Sequence, residues 1–173
     1  DYGTDNYAGV TFSNTGNRTI LMGWMSNWQY AQVVPTSAWR SATTVPRLLQ
    51  LTDVNNELYL TSTPVNELDA LNGQSFTEKN RSVTGTYDLT SKVTNASDLF
   101  RLSLTTQTAN DFSIVLANEQ GNELEIGYDK SANVYYIDRS RSGKIDFKKG
   151  FGKRHPPPRL SINKTLSLTL LAD

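Results

Sequence analysis

The chain has 173 residues, of which 37% are hydrophobic, enough for one domain or for one domain with part of a second. Its 17 Lys and Arg balance its 17 Asp and Glu, so no net charge attracts nucleic acid or an anionic membrane. Cysteine is absent, which excludes disulfides and thiolate metal sites. No apolar run approaches the roughly 20 residues of a membrane-spanning helix.

Alternation of apolar and polar residues predicts short β-strands in the first third of the chain. The segments YAGVTF (Tyr7–Phe12) and TILMGWM (Thr19–Met25) form a predicted hairpin across the Asn- and Gly-containing turn NTGNR. A second predicted pair, PRLLQL and ELYLTS, is joined by TDVNN. PVNELDAL (Pro64–Leu71) is the one helix that the pattern predicts, since its apolar residues recur three and four apart.

The rest of the chain is predicted to consist of strands joined by polar turns. Regular short strands of this kind are typical of a sandwich or a barrel. The composition changes near Val65–Gly73, and we therefore predict one domain over 1–64 and another over 65–173. Both ends of the sequence are abrupt, and we expect them to be cuts through a larger fold. The six predicted strands are GTYDL, FRLSLTTQ, DFSIVLANE, NELEIGYD, NVYYIDR and LSLTLLAD.

Several carboxylates are candidates for acid–base chemistry. Asp1 and Asp5 flank a short turn, and a carboxylate pair about 5 Å apart suits a retaining glycosidase. A structural interpretation is also open, in which Asp5 orients the turn before the first strand. Asp129 and Asp138 stand at strand ends, where Asp is a common turn residue.

The later part of the chain offers a lone histidine and a basic segment. His155 is the only histidine and lies in the proline-rich stretch KRHPPPR, so we predict a surface or linker residue and no metal site. The segment 139–154 is rich in Lys and Arg, with Phe147 and Phe151 interleaved. Because the whole chain is neutral and lacks a nucleic-acid motif, we predict a solvated strand–turn–strand without nucleic-acid binding.

All three tryptophans fall in one run, GWMSNWQYAQVVPTSAWRSATTVPR (Gly23–Arg47). A regular strand would place Trp24 and Trp28 on the same face. Two indoles with Asn27 beside them would suit a sugar, because sugar C–H faces stack on indole and amides bind hydroxyl groups.

The same cluster has a purely structural interpretation. Trp24 can be a core residue while Trp28 packs against Pro35 and Trp39. The residues by themselves leave both interpretations open, and the burial of Trp24 would favour the structural one.

Three stretches together resemble glycoside hydrolase family 32, which contains levanases, exo-inulinases and invertases. They are DYGTDNYAGVTF, the tryptophan run and IGYDKSANVYYIDRSRSG. The resemblance extends through nearly the whole chain. It implies an all-β fold with the last blade of a five-bladed β-propeller over 1–64, followed by an incomplete C-terminal β-sandwich over 65–173. The family's following strand, typically Ser-x-Glu-Val-Phe, is not found after LLAD.

The resemblance implies retaining hydrolysis of fructosyl linkages by an Asp nucleophile, a Glu acid/base and a further Asp. The family carries these in Trp-Met-Asn-Asp-Pro-Asn-Gly, Arg-Asp-Pro and Glu-Cys motifs, and none of them occurs here. Asp1 and Asp5 do not match them. We therefore expect no catalytic residue in this chain, which would be inactive alone and would need the missing N-terminal propeller blades. The implied parent is a fructan or sucrose hydrolase of β-fructofuranosidase, levanase or inulinase type that releases fructose.

The family uses an indole of the last blade as one wall of the fructose subsite. The resemblance assigns that role to Trp24 first and to Trp28 second, with Asn27 as a neighbouring contact. Arg40 and Arg47 are expected to tie the blade to its surroundings.

The implied partner is a fructan or sucrose substrate. No metal, organic cofactor, nucleic acid or membrane is implied, and we expect a secreted or periplasmic protein. The alternative is a non-catalytic β-sandwich module that binds carbohydrate or a partner protein.

Overall fold

The computed structural model describes residues 2–92 and 99–172. In these ranges the regular structure consists of β-strands and two short 3₁₀ helices, so the all-β fold class is confirmed. The 3₁₀ helices are Asn66–Leu71 and Thr90–Lys92. The strands are β1 (Tyr7–Thr11), β2 (Thr19–Trp24), β3 (Arg47–Val54), β4 (Glu57–Pro64), β5 (Phe100–Thr106), β6 (Phe112–Ala117), β7 (Glu123–Asp129), β8 (Val134–Arg141), β9 (Arg154–His155) and β10 (Leu166–Ala172).

The first sheet is an antiparallel meander in the order β1-β2-β3-β4, which confirms both predicted hairpins. Val54 pairs with Glu57, so the β3–β4 loop contains only two residues. These are Asn55 and Asn56, with φ angles of 56° and 64°. Two left-handed residues in a two-residue loop match the right-handed twist of the flanking strands, and Asn tolerates this conformation better than most residues.

The second sheet is antiparallel in the order β6-β7-β8-β9. Its central strand β7 contains the buried residues Ile126 and Tyr128. Between them lies Gly127, where an added Cβ would lie 2.6 Å from the ring of Tyr136 and even closer to the carbonyl oxygen of Phe112. Only glycine therefore allows the Tyr136 side chain to lie this close to the backbone of β7.

The third sheet pairs β5 with β10 over their full lengths, from Leu166 opposite Thr106 to Ala172 opposite Phe100. Leu166 is completely buried. The residues of β5 alternate between exposed and half-buried, as a strand with one covered face should.

Two predicted elements differ from the structure. GTYDL is not a strand, because Gly85 has a φ of 74° and the Asp88 carboxylate accepts a hydrogen bond from the Thr90 backbone N–H (2.8 Å), which starts a 3₁₀ turn. The predicted helix over Pro64–Leu71 is a six-residue 3₁₀ helix, which is short for an α-helix. The two-residue strand β9 was not predicted.

The chain forms two compact units. The first unit contains residues 1–65 and 109–162, and so includes the β1–β4 and β6–β9 sheets. The second contains residues 66–108 and 163–173, and so includes both 3₁₀ helices and the β5–β10 pair. In the ranges that the structure describes, no helix has the length and apolar character needed to cross a membrane.

Candidate functional site

Three aromatic side chains form a cluster in which Trp24 contacts the other two, and we name it the aromatic wall (Tyr7, Trp24 and Trp28). Strand β2 ends at Trp24, which pairs with Tyr7 on one side and forms an isolated bridge to Thr43 on the other. The chain then turns and brings Trp28 back onto Trp24, with ring centroids 5.0 Å apart and an interplanar angle of 65°. Tyr7 also contacts Trp24, with centroids 6.3 Å apart and the same angle.

The aromatic wall is open to solvent. Trp28 is 67% exposed and Trp24 is half-buried. The premise that a regular strand aligns the two indoles is wrong, since Trp28 lies in a turn, but the indoles are in contact nonetheless. Trp39, the third indole of the run, is 73% exposed. Edge-to-face packing keeps the rings of the wall in place while their outer surfaces remain accessible.

Asn27 lies in the turn between the two indoles and is only 8% exposed. Its Nδ2 donates to Asp5 Oδ1 (2.8 Å), and its Oδ1 accepts from the backbone N–H of Gln29 (2.9 Å). Both ends of the carboxamide are thus hydrogen-bonded within the protein. These two hydrogen bonds hold the turn in its conformation. A direct contact of Asn27 with a sugar stays a prediction.

Asp5 is the polar centre beneath the turn. Its Oδ1 accepts hydrogen bonds from Asn27 and from the hydroxyl of Tyr30, and its Oδ2 lies 2.9 Å from Arg139 Nη1 in an ion pair. These contacts agree with the structural interpretation of Asp5, but the residues that bind its carboxylate lie far along the chain. Asp1, the other carboxylate considered with it, lies outside the described residues.

Arg139, which sequence reasoning did not single out, is held on several sides. Its Nε donates to the carbonyl oxygen of Phe151 (2.8 Å), and its guanidinium lies 4.1 Å from the centroid of the Phe151 ring. Burial lowers the pKa of Arg139, but hydrogen bonds with Asp5 and Tyr30 raise it by more, so the group stays charged. The separation of Asp5 and Arg139 in the chain left no local sequence signal for this pair.

The two phenylalanines of the basic segment pack on Tyr30. The Tyr30 ring meets Phe151 edge-on at 5.3 Å and Phe147 at 6.1 Å, and the two phenylalanine rings lie 4.5 Å apart. These rings therefore support the turn that carries Trp28. The predicted strand–turn–strand is present as β8, a turn and β9, but these two phenylalanines are half-buried packing residues and not solvated as predicted.

His155 is not the surface or linker residue that the sequence predicted. It belongs to β9, pairs with Ile137 and is half-buried. Its Nε2 lies 3.4 Å from Arg139 Nη2. Burial, and then the charge of Arg139, lower the pKa of His155, which favours a neutral ring at neutral pH.

Asp129 ends β7 and acts as a turn residue, as predicted, but Asp138 lies within β8, where it pairs with Glu125 and Arg154, so its prediction as a strand-end turn residue is wrong. Asp129 accepts hydrogen bonds from the hydroxyl of Ser131 (2.7 Å) and the backbone N–H of Ala132 (3.0 Å), and the latter lowers the pKa of Asp129 most. Asp138 accepts from the backbone N–H of Ser140 (2.9 Å), and the hydrogen bonds from this serine lower the pKa of Asp138.

Of the two arginines expected to tie the blade to its surroundings, one bonds within its own loop. Arg40 donates to the carbonyl oxygen of Gln32, eight residues earlier. Arg47 begins β3 and pairs with Pro64. No group of three His, Cys, Asp or Glu residues that could hold a metal ion occurs in residues 2–92 and 99–172.

The described structure is all-β and exposes the Trp28 indole, and comparison with known families shows the family to which the chain belongs. Residues 1–64 match the N-terminal domain of glycosyl hydrolases family 32, and residues 66–173 match the C-terminal domain of the same family. The chain belongs to glycoside hydrolase family 32.

Similar proteins are considerably longer than this chain. A levanase of Bacillus subtilis (strain 168) is 33% identical over 100% of this chain and 27% of its own length. An extracellular exo-inulinase of Aspergillus niger is 33% identical over 91% of this chain and 30% of its own length. The solved β-fructofuranosidase of Schwanniomyces occidentalis, complexed with fructosyl-erythritol, is 26% identical with a TM-score of 0.71, over 100% of this chain and 38% of that one.

Proposed function

We propose that the chain is the C-terminal part of a retaining fructan or sucrose hydrolase that releases fructose, of β-fructofuranosidase, levanase or inulinase type. Membership of family 32 and the similarity to a levanase and an exo-inulinase support this proposal. In it, residues 1–64 form the last blade of a five-bladed propeller and residues 65–173 form most of a C-terminal β-sandwich. The exo-inulinase relative is described as extracellular, which supports a secreted protein.

The observation that carries the proposal is the aromatic wall. Trp24 is the first candidate for the wall of a fructose subsite, because it is half-buried and in contact with both Tyr7 and Trp28. Trp28 extends the same wall outward into solvent. Indole rings held in this way offer flat apolar surfaces to the C–H face of a sugar. Asn27 completes the proposed subsite by linking the turn to Asp5 and to the backbone N–H of Gln29.

The proposal assigns the catalytic carboxylates to other blades of the propeller. Retaining hydrolysis needs a carboxylate that can attack the anomeric carbon and a second carboxyl group about 5 Å away that donates and accepts a proton. Asp5 is unsuited to either role, since its oxygens are engaged by Asn27, Tyr30 and Arg139. The reaction needs only carboxylates, so the proposal includes no metal or organic cofactor.

The test uses the complete polypeptide that contains this chain, assayed for fructose release from levan, inulin and sucrose. Trp24→Ala should raise KM or lower kcat by about ten-fold in kcat/KM, the equivalent of about 1.4 kcal/mol. Trp28→Ala should have a smaller effect in the same direction. The matched control is Trp39→Ala, which removes an indole outside the wall and should leave kcat/KM unchanged.

Three results would contradict the proposal. Equal kinetics for Trp24→Ala and Trp39→Ala would show that the aromatic wall is not part of the fructose subsite. Binding of levan by the complete polypeptide without release of fructose would favour the alternative, a non-catalytic carbohydrate-binding module. The isolated chain should release no fructose from any of the three substrates, and activity of the isolated chain would show that it carries its own catalytic carboxylates.

A further inference from the structure

The turn that carries Trp28 is held from outside by one carboxylate. Two of its side chains, Asn27 and Tyr30, donate to the same oxygen of Asp5. Asp5 lies just before β1, the strand that begins with Tyr7. The position of the turn relative to β1, and hence of Trp28 relative to Trp24 and Tyr7, therefore depends on where the Asp5 carboxylate is held.

The Asp5 carboxylate is in turn held by Arg139, near the end of β8. The guanidinium donates to Asp5 (2.9 Å), to the carbonyl oxygen of Phe151 (2.8 Å) and to the hydroxyl of Tyr30 (3.3 Å), each from a separate nitrogen. The Arg139 side chain is only 16% exposed, so loss of its charge would leave Asp5 in a partly dry site without its counter-charge.

We propose that Arg139 is a positioning residue for the aromatic wall: through Asp5 it fixes the turn that packs Trp28 edge-on against Trp24. The part of this proposal that concerns sugar binding rests on the proposed function. The part that concerns the position of Trp28 does not, because the contact between the two indoles exists without a ligand. Arg139 does not itself form the wall. Its effect on a substrate reaches the sugar through Asp5, Asn27 and the indole of Trp28.

The kinetic consequence follows from what the wall does. A stacking wall binds the sugar in the ground state and the transition state alike, so loosening it raises KM and changes kcat less. A variant of Arg139 should therefore show a KM effect without a matching kcat effect. A general loss of folded enzyme would instead lower the apparent kcat and leave KM unchanged.

The experiment compares Arg139→Gln with Arg141→Gln in the complete polypeptide. Arg141 is the matched control because it lies two residues along the same strand, is exposed and pairs with Glu123. The first readout, without sugar, is the exciton-coupled circular dichroism of the Trp24–Trp28 indole pair. Arg139→Gln should reduce this signal strongly, and Arg141→Gln should leave it unchanged.

The second readout is the kinetics on levan and inulin. Arg139→Gln should raise KM by about ten-fold with kcat changed by less than about three-fold. Arg139→Lys should restore part of the KM loss, since lysine keeps the charge but lacks the fork that bonds Asp5 and Phe151 together. Asp5→Asn combined with Arg139→Gln should cost less than the sum of the two single changes, because both act on one contact.

The two proposals fail in different ways. If the wild-type polypeptide releases no fructose, the proposed function is wrong, and the circular dichroism still decides whether Arg139 positions the indoles. If Arg139→Gln keeps both the exciton signal and KM of the wild type, the positioning role is overturned.

A milder variant covers the case in which Arg139→Gln does not fold. Tyr30→Phe removes only the hydroxyl that bonds Asp5 and keeps the ring that packs on Phe147 and Phe151. It should reduce the exciton signal in the same direction by a smaller amount. An unchanged signal in folded Tyr30→Phe, with the Asp5→Asn signal also unchanged, would overturn the proposal.

Discussion

At the scale of single residues, Gly127 sets how closely β7 and β8 can pack. An added methyl group would lie 2.6 Å from the Tyr136 ring and closer still to the Phe112 carbonyl oxygen, which belongs to the backbone and cannot rotate away. Gly127→Ala should therefore lower the free energy of unfolding by about 1–3 kcal/mol, measured by urea denaturation. Gly73→Ala is the control, since a methyl group added there would have no neighbour within 4 Å, and it should change stability by less than about 0.5 kcal/mol.

Tyr136 is also predicted to ionise at a higher pH than an ordinary tyrosine. Burial, and then its hydrogen bond to Glu125 (2.7 Å), raise the pKa of Tyr136 to about 12. The unfolded chain, with an ordinary tyrosine pKa of 10.0, loses this proton first. The stabilising contribution is therefore complete below about pH 10 and is lost as the pH rises toward about 12.

The measurement for Tyr136 is the phenolate absorbance of wild type minus that of Tyr136→Phe, followed as a function of pH. Glu125→Gln removes the negative charge and should move the titration of Tyr136 to lower pH. A difference curve with the midpoint of an unperturbed tyrosine would contradict the packing described for this residue.

At the scale of secondary-structure elements, the β3–β4 hairpin depends on its two left-handed asparagines. A β-branched residue is strained at a positive φ, so Asn56→Val should lower the free energy of unfolding by about 1–2 kcal/mol. Asn56→Gly, the matched control, removes the Cβ and should be at least as stable as wild type, because Asn-Gly suits this turn type. Thermal denaturation followed by circular dichroism measures both, and equal melting of the two variants would contradict the assignment of the turn.

At the scale of the whole molecule, the first sheet leaves an apolar face uncovered within the described structure. Leu51 pairs directly with Leu60, and Leu58 lies two residues away on the same face. These side chains are 72%, 68% and 71% exposed, respectively. Adjacent exposed leucines on one sheet face favour association.

We therefore expect the isolated chain to associate as its concentration rises, measured by sedimentation velocity. Leu60→Lys should weaken this association, because it places a charge among the exposed leucines. Gln50→Lys adds the same charge on the opposite face of the sheet and serves as the control. Equal association of the two variants would show that another surface is responsible.

The sequence predicted most of the strands because their alternation is long enough to detect, as in β5 and β6. It missed β9, since two residues carry no period. The prediction of a strand over GTYDL was wrong for another reason. A glycine with positive φ and a turn that begins at an Asp outweighed the strand-forming composition of this segment. Local patterns therefore predict extended segments well and their interruptions poorly.

The candidate site was predictable in composition but not in geometry. Three tryptophans in one run pointed to Trp24 and Trp28, although the indoles meet through a turn and not along a strand. The contact between Asp5 and Arg139 could not be predicted from the sequence, because no sequence motif contains both residues. Their contact exists only once β8 is in place beside the turn.

The contact between Asp5 and Arg139 has a consequence for the order in which parts of the protein fold during synthesis. Asp5 and Arg139 are separated by 134 positions, so Asp5 emerges from the ribosome long before its counter-charge exists. The β1–β4 meander has local pairings and can form early, whereas the turn bearing Trp28 must wait until Phe151 has also been synthesised to hold the guanidinium. A ribosome stalled before residue 139 would thus display the first sheet with its indoles not yet locked together.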